Sequence, residues 1–381
     1  MKRLNRQDAI SQVKTVDKAA QGKLTRREFN EALGIFGVAS VAVPMMARPA
    51  LSAGEILYFT WAGFEIPELF PDYAAKYGAP DAAFYGDEYE AIEKLKAGFH
   101  ADAVCPCIDV MPRWMSADLK PIDESRITLL DETFESLRNA EAAFHKGQRY
   151  FVPTYWGFSS FVYRTDLTDI TPEEESWALL YDERFKGRIG IWDSTDAVIP
   201  VASLALGDLE DPYRPSGERL EKVAAMMRKQ RDLVRFYWSG GTDMTQAFVS
   251  GEIVISFAWG STPGQLKKEN VPFKWANPKE GLISFSCGLA RANRDGDVAA
   301  VHDFIDAHLT PEAGKAMIET YNYGHSTQAA FDTVDPALLA ELNMTTPEAS
   351  LAGSHSYDYV PTDLKEEHIR LFDEIKAEAG T

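Results

Sequence analysis

From residue 55 onward, short apolar runs alternate with amphipathic stretches. "EILYFTW", "IPELFPDYAAKYG", "AAFYG", "DEYEAIEKLKAGF" and "ADAVCPC" follow one another with few residues between them. The first kind reads as strand and the second as helix, so the order is βαβαβ and predicts a parallel sheet with helices on its faces. The helix predicted over 87–99 carries Tyr89, Ile92, Leu95 and Phe99 at helical spacing, and Gly98 helps to end it. Ligands of such sheets sit at the carboxyl ends of strands, where Trp61 and Cys107 stand.

A second series begins after a broken apolar strand over 149–164. "SWALLYDERFKGRIGIWDS" reads as helix, loop and strand, "SGERLEKVAAMMRKQ" and "DMTQAFVSGE" as helices, and "IVISFAWGS" as a buried strand with a Gly-Ser end. "VPFKWANPKEGLISFSCGLARAN" predicts a strand, a turn at 277–281 and a further strand. Two helices follow, "VAAVHDFIDAHL" and "TPEAGKAMIETYNYG", the second with Pro311 in its first turn. Two α/β lobes fit this pattern better than one. With no internal repeat and no low-complexity linker, the lobes are expected to be joined by more than one crossing.

The length of 381 residues agrees with two domains. A formal charge of −19 disfavours nucleic acid or an anionic membrane as partner, since both call for basic patches. Upstream of the alternating region, residues 24–53 place Arg26 and Arg27 before Phe29, a moderately apolar stretch over 32–46 and a small-residue end at Ala53. This looks like a twin-arginine export signal, too short and too weakly apolar for a membrane span. Its removal near Ala53 would discard nine Lys/Arg and four Asp/Glu, taking the charge to −24, and would leave a periplasmic protein served by the twin-arginine export machinery.

Cys105 and Cys107 flank one proline and would point to the same side of a strand; Cys287 is the third and last cysteine. A metal site, a redox pair and a wall beside a ligand are all open readings of that pair. Four-cysteine and Cys/His zinc patterns are absent, and the seven histidines show no HExxH or comparable spacing, so no metal ligand and no cofactor is expected. Nor is there a Gly-x-Ser-x-Gly elbow, a GxxxxGK loop or a GxGxxG after a strand.

Taken in order, "LYFTWAGF", "FVPTYWG", "ERFKGRIGIWDSTDA", "SGEIVISFAWGS", "NPKEG" and "CGLARAN" resemble the spermidine/putrescine class of periplasmic solute-binding proteins, over nearly all of 55–381. The resemblance implies an α/β, two-lobed periplasmic binding protein fold of type II, with the ligand cleft between lobes joined by crossing strands. On that basis 1–53 is the signal segment, 54–154 plus 286–330 form one lobe, and 155–285 plus 331–381 form the other. It further implies hinge closure on the ligand and delivery to the membrane permease of an ABC importer.

In that class, aromatic side chains box an alkyl-amine chain and carboxylates take its ammonium ends. By position, Trp61 and Phe64 would line one lobe, Trp259 the other and Phe285 the crossing strand. Asp196 matches a carboxylate that meets an amine, although Asp193, Thr195 or Asp196 itself would also serve as an N-cap. The chain departs from the class at three places, with Ile199 and Cys287 where carboxylates are expected, and Cys107 and Asp109 where a serine and a tyrosine are. By this mapping Cys107 and Cys287 belong to the ligand-facing wall, as small lining residues or as a disulfide beside the pocket.

The expected function is therefore binding, not catalysis: an exported receptor for a small cationic amine, either polyamine-like or a monocationic or quaternary ammonium solute. Two alternatives stand beside it. One is a periplasmic enzyme on the same scaffold using Asp109, Asp193 or Cys107. The other is a receptor for an anionic or zwitterionic solute, with Arg113 or Arg291 turned inward.

Overall fold

The computed structural model describes residues 56–342 and 344–378. Residues 24–53, where an export signal is expected, lie outside the described residues. The first βαβαβ unit forms as its pattern predicts: β1 (Leu57–Trp61) pairs in parallel with β2 (Asp81–Tyr85) and with β3 (Ala103–Val104). Helix α1 (Pro71–Tyr77) follows β1, and α2 (Glu88–Lys96) follows β2. Asp87 caps α2 by accepting the Tyr89 and Glu90 N–H groups, and Gly98, at φ +96°, lets the chain turn away after it.

The run over 149–164 becomes one long strand, β4 (Val152–Arg164), buried along nearly its whole length. β5 (Ile189–Trp192), β6 (Val234–Trp238), β7 (Ile255–Trp259), β8 (Phe273–Trp275) and β9 (Ile283–Arg291) complete the main strands. The strand order is β2-β1-β3-β9-β4-β7-β5-β6, with β8 beside β4. β9 ties the two groups together, because Ile283 to Leu289 pair with β4 whereas Ala290 and Arg291 pair with β3.

The β9–β4 register breaks between Cys287 and Gly288. A Cβ on Gly288 would lie 2.0 Å from the Val152 carbonyl oxygen, so the irregularity depends on glycine.

The remaining main helices are α3 (Thr195–Ala205), α4 (Glu218–Arg231), α5 (Gly241–Val249), α6 (Val298–Ala307), α7 (Pro311–Tyr321) and α8 (Thr362–Ala377). The helix expected from "SWALLYDERF" is instead two short 3-10 turns, Trp177–Tyr181 and Glu183–Phe185. In the first, Trp177, Leu179, Leu180 and Tyr181 are all buried, which leaves little of the polar face that an amphipathic helix would present.

Buried side chains gather in groups that follow the strands. One draws on 161–283 together with Phe372 and Ile375 of α8. Two more cover the faces of β1 and β3: Tyr58 and Ala103 pack with α6, and Leu57, Phe59 and Val104 pack with α2 and Trp114. That split is the face alternation of strand side chains. A smaller group joins Phe331, Val334 and Met344 to Leu137, Trp156 and Ile318.

Candidate functional site

The richest cluster of charged and aromatic groups lies where α2, from the first group of strands, meets α3 and α8, from the second. The local sequence explains how each arrives. Ser194 caps α3, its hydroxyl accepting the Asp196 N–H at 3.2 Å, which fixes Asp196 in the first turn. The cap is thus Ser194, and none of Asp193, Thr195 or Asp196. Asp193 is ion-paired with Lys376 at 2.7 Å.

On α8, the buried residues are Lys365, His368, Phe372 and Ile375. Their spacing is that of a core-facing stripe, so the helix turns a lysine inward. The Lys365 ammonium donates to Asp196 Oδ1 at 2.5 Å and lies 4.4 Å from the centre of the Tyr89 ring. The Arg113 guanidinium lies 4.9 Å from the same ring, and its buried Nη1 has no hydrogen-bond partner among the described residues.

Around this pair stand three further carboxylates. Asp87 Oδ2 accepts from the Ser194 hydroxyl at 3.4 Å, bridging α2 to α3; burial, then the Asp196 charge, raise its carboxyl above the usual range. Glu88 is buried and accepts from Trp114 Nε1 at 2.5 Å and from the Cys107 N–H at 3.1 Å. Burial, with Asp109 as the next cause, holds it well above an ordinary glutamate. Asp109 sits in a short 3-10 turn opened by Cys107; burial, followed by the Asp196 charge, pushes it up to about 7. Its Oδ1 is buried and accepts no hydrogen bond among the described residues.

Cys107 and Cys287 are joined as a disulfide. The bond ties the turn that bears Asp109 to the irregularity of β9, next to the Gly288 N–H that donates to the Pro106 carbonyl at 3.0 Å. Cys105 remains a buried free thiol, raised to about 11 by burial, with its sulfur 3.6 Å from the Tyr155 hydroxyl.

The four aromatics singled out from sequence do not form one box. Trp61 meets Tyr85 edge-on and donates its ring N–H to the Cys105 carbonyl at 3.2 Å. Phe64 stacks on Tyr321, which lies parallel to Tyr323, itself stacked on Tyr155. Phe285 meets Tyr323 edge-on, so Phe64 and Phe285 belong to one aromatic group through three tyrosines. Trp259 packs instead against Trp192 and Trp238. Arg291 donates to the Pro121 carbonyl at 2.6 Å.

Sequence reasoning passed over Tyr89, Lys365 and Tyr357. Tyr357 is half-buried, with desolvation and then the Asp196 charge raising its phenol. The signal for Lys365 was a lysine on the apolar stripe of an amphipathic stretch.

Residues 90–343 match the model of the bacterial extracellular solute-binding protein family. The chain belongs to that family. It is a solute-binding protein and not an enzyme. Over 340 residues it is 25% identical to spermidine/putrescine-binding periplasmic protein 1 of Haemophilus influenzae, covering 87% of this chain and 91% of that one. Its fold matches a putative spermidine/putrescine ABC transporter protein from Listeria monocytogenes with a TM-score of 0.72, at 16% identity and over 85% of this chain and 99% of the other. It also matches the GABA receptor Atu4243 with a TM-score of 0.63, at 18% identity and over 85% and 96% of the two chains. The expected two-lobed periplasmic binding protein fold is thus the one observed, with β9 pairing to both β3 and β4.

Proposed function

We propose that this protein is the capture receptor of an ABC importer for a small solute that carries one ammonium group, and that Asp109 takes that group. The observation that carries the reading is Asp109 Oδ1, a buried carboxylate oxygen without a hydrogen-bond partner among the described residues. Such an atom is costly to bury, and a ligand cation would supply both charge and donors. Asp196, the carboxylate first expected to meet the amine, already holds Lys365. Trp61, Phe64, Phe285 and the Cys107–Cys287 disulfide serve in this reading as wall, and Trp259 as support from the second lobe. The relatives named for spermidine and putrescine favour an amine.

A second reading is favoured by Arg113. Its Nη1, unpartnered among the described residues and beside Tyr89, suits a solute with a carboxylate as well as an ammonium, and one similar structure is a GABA receptor.

Titration calorimetry with butylammonium, choline, γ-aminobutyrate, putrescine and spermidine tests both. A monoamine or the amino acid is expected to bind best, and Asp109→Asn to weaken it at least 30-fold, since stranding a buried charge partner costs about 2–5 kcal/mol. Wild-type affinity in that variant, or tightest binding by spermidine, would overturn the reading.

We also infer that residues 24–53 direct export by the twin-arginine route. Lys is not equivalent to Arg where paired guanidinium groups are read, so Arg26→Lys with Arg27→Lys should hold the precursor in the cytoplasm. Undiminished periplasmic protein on cell fractionation would exclude that route.

A further inference from the structure

An ammonium over an aromatic ring and against a carboxylate is how a protein holds an amine. The chain already contains one such arrangement, filled by its own side chain. We propose that Lys365 is a tethered ammonium filling a second amine seat, made by Asp196 and Tyr89, and that it thereby confines the receptor to solutes with a single cationic group. The inference rests on reading Asp109 as the first seat.

The geometry supports a filled seat in three ways. The Lys365 side chain is only 2% exposed, whereas Asp196 keeps 19%, so the lysine is the buried member and the carboxylate still reaches the surface of the site. The seat is composite: Tyr89 comes from α2, Asp196 from α3 and the ammonium from α8, elements far apart in the chain. Asp87, whose carboxylate accepts from the Ser194 hydroxyl at the head of α3, adds a further carboxylate beside the seat, and Arg113 is a second cation on the same Tyr89 ring. The turn that bears Asp109 is held to α2 by the Cys107 N–H donating to Glu88, and α2 also carries Tyr89 and, through Asp87, accepts from Ser194 at the head of α3, so the two seats are read as parts of one site. A diamine entering it would set its second ammonium beside Lys365, and like charges in a buried site repel.

Putrescine and butylammonium differ by one ammonium and make the test direct. In the wild type, butylammonium should bind better than putrescine. Lys365→Ala should raise the ratio of putrescine to butylammonium affinity at least 10-fold by calorimetry, and adding Asp196→Asn should cancel the gain. Lys365→Cys alkylated with bromoethylamine, which restores a tethered ammonium, should return the wild-type preference.

A folded Lys365→Ala protein with that ratio unchanged would overturn the proposal and make the Lys365–Asp196 pair a structural link between α8 and α3. Lys365→Ser, which can still hydrogen-bond Asp196, serves if the alanine variant does not fold. Failure of both to fold, even with putrescine present, would likewise assign the lysine to structure and overturn it. If the wild type binds butylammonium and the variants gain nothing, only the second seat falls. If the wild type binds no monoamine, the reading of Asp109 falls as well.

Discussion

Asp109 joins the chemistry of the site to a measurable pH dependence. Burial, with Asp196 the next cause, lifts its carboxyl up to about 7. Below that pH the free receptor holds a proton that must leave before an ammonium can pair with the carboxylate. Affinity for choline, whose charge does not titrate, should therefore rise about tenfold per pH unit between pH 5 and 7 and level off above, as calorimetry at fixed salt would show. A flat profile would place the cation elsewhere. Stability runs the other way. A carboxyl raised in the folded state favours folding below its unfolded value near 4, and that contribution is lost as pH rises through about 7. Asp109 was legible in the sequence as a departure from the polyamine pattern, whereas for Lys365 only an inward-facing position was legible, and for Tyr89 only a place on the apolar face of α2. Their roles depend on a contact between α8 and α2 that no local spacing specifies.

At the scale of elements, the strands and helices with strong periodicity were readable, and the connections were not. The βαβαβ opening, α4, α5, α6 and α7 stand where hydrophobic spacing puts them. The 3-10 turns over 177–185 were misread because Trp177, Leu179, Leu180 and Tyr181, buried within five residues, are too short a run to test for a helical period. β4 looked broken in sequence because Pro153 and Gly157 interrupt its apolar run, yet both fit the strand for specific reasons. Pro153 lies opposite Gly288 at the register irregularity. A Cβ on Gly157 would come within 2.8 Å of the Phe285 and Tyr323 rings, so the glycine lets two aromatics close over the strand. The Cys107–Cys287 disulfide had been one of several open readings of the cysteines. It follows from β9 running antiparallel to the segment after β3, a pairing between residues 180 apart in sequence.

Across the whole molecule, two groups of strands share β9, and the carboxylates concentrate where helices from both groups meet. The net charge of −19 accords with a cationic cargo but does not locate its site. In the proposed reading it is located by the difference between two aspartates, Asp196 with an ammonium from the chain itself and Asp109 with none among the described residues. The most direct measurement is a crystal structure of the receptor with the monoamine that binds tightest. The ligand nitrogen should lie within hydrogen-bonding or contact distance of Asp109, with Lys365 still on Asp196. A ligand nitrogen on Asp196 with Lys365 displaced, or a bound solute that leaves Asp109 without a cation, would contradict the account.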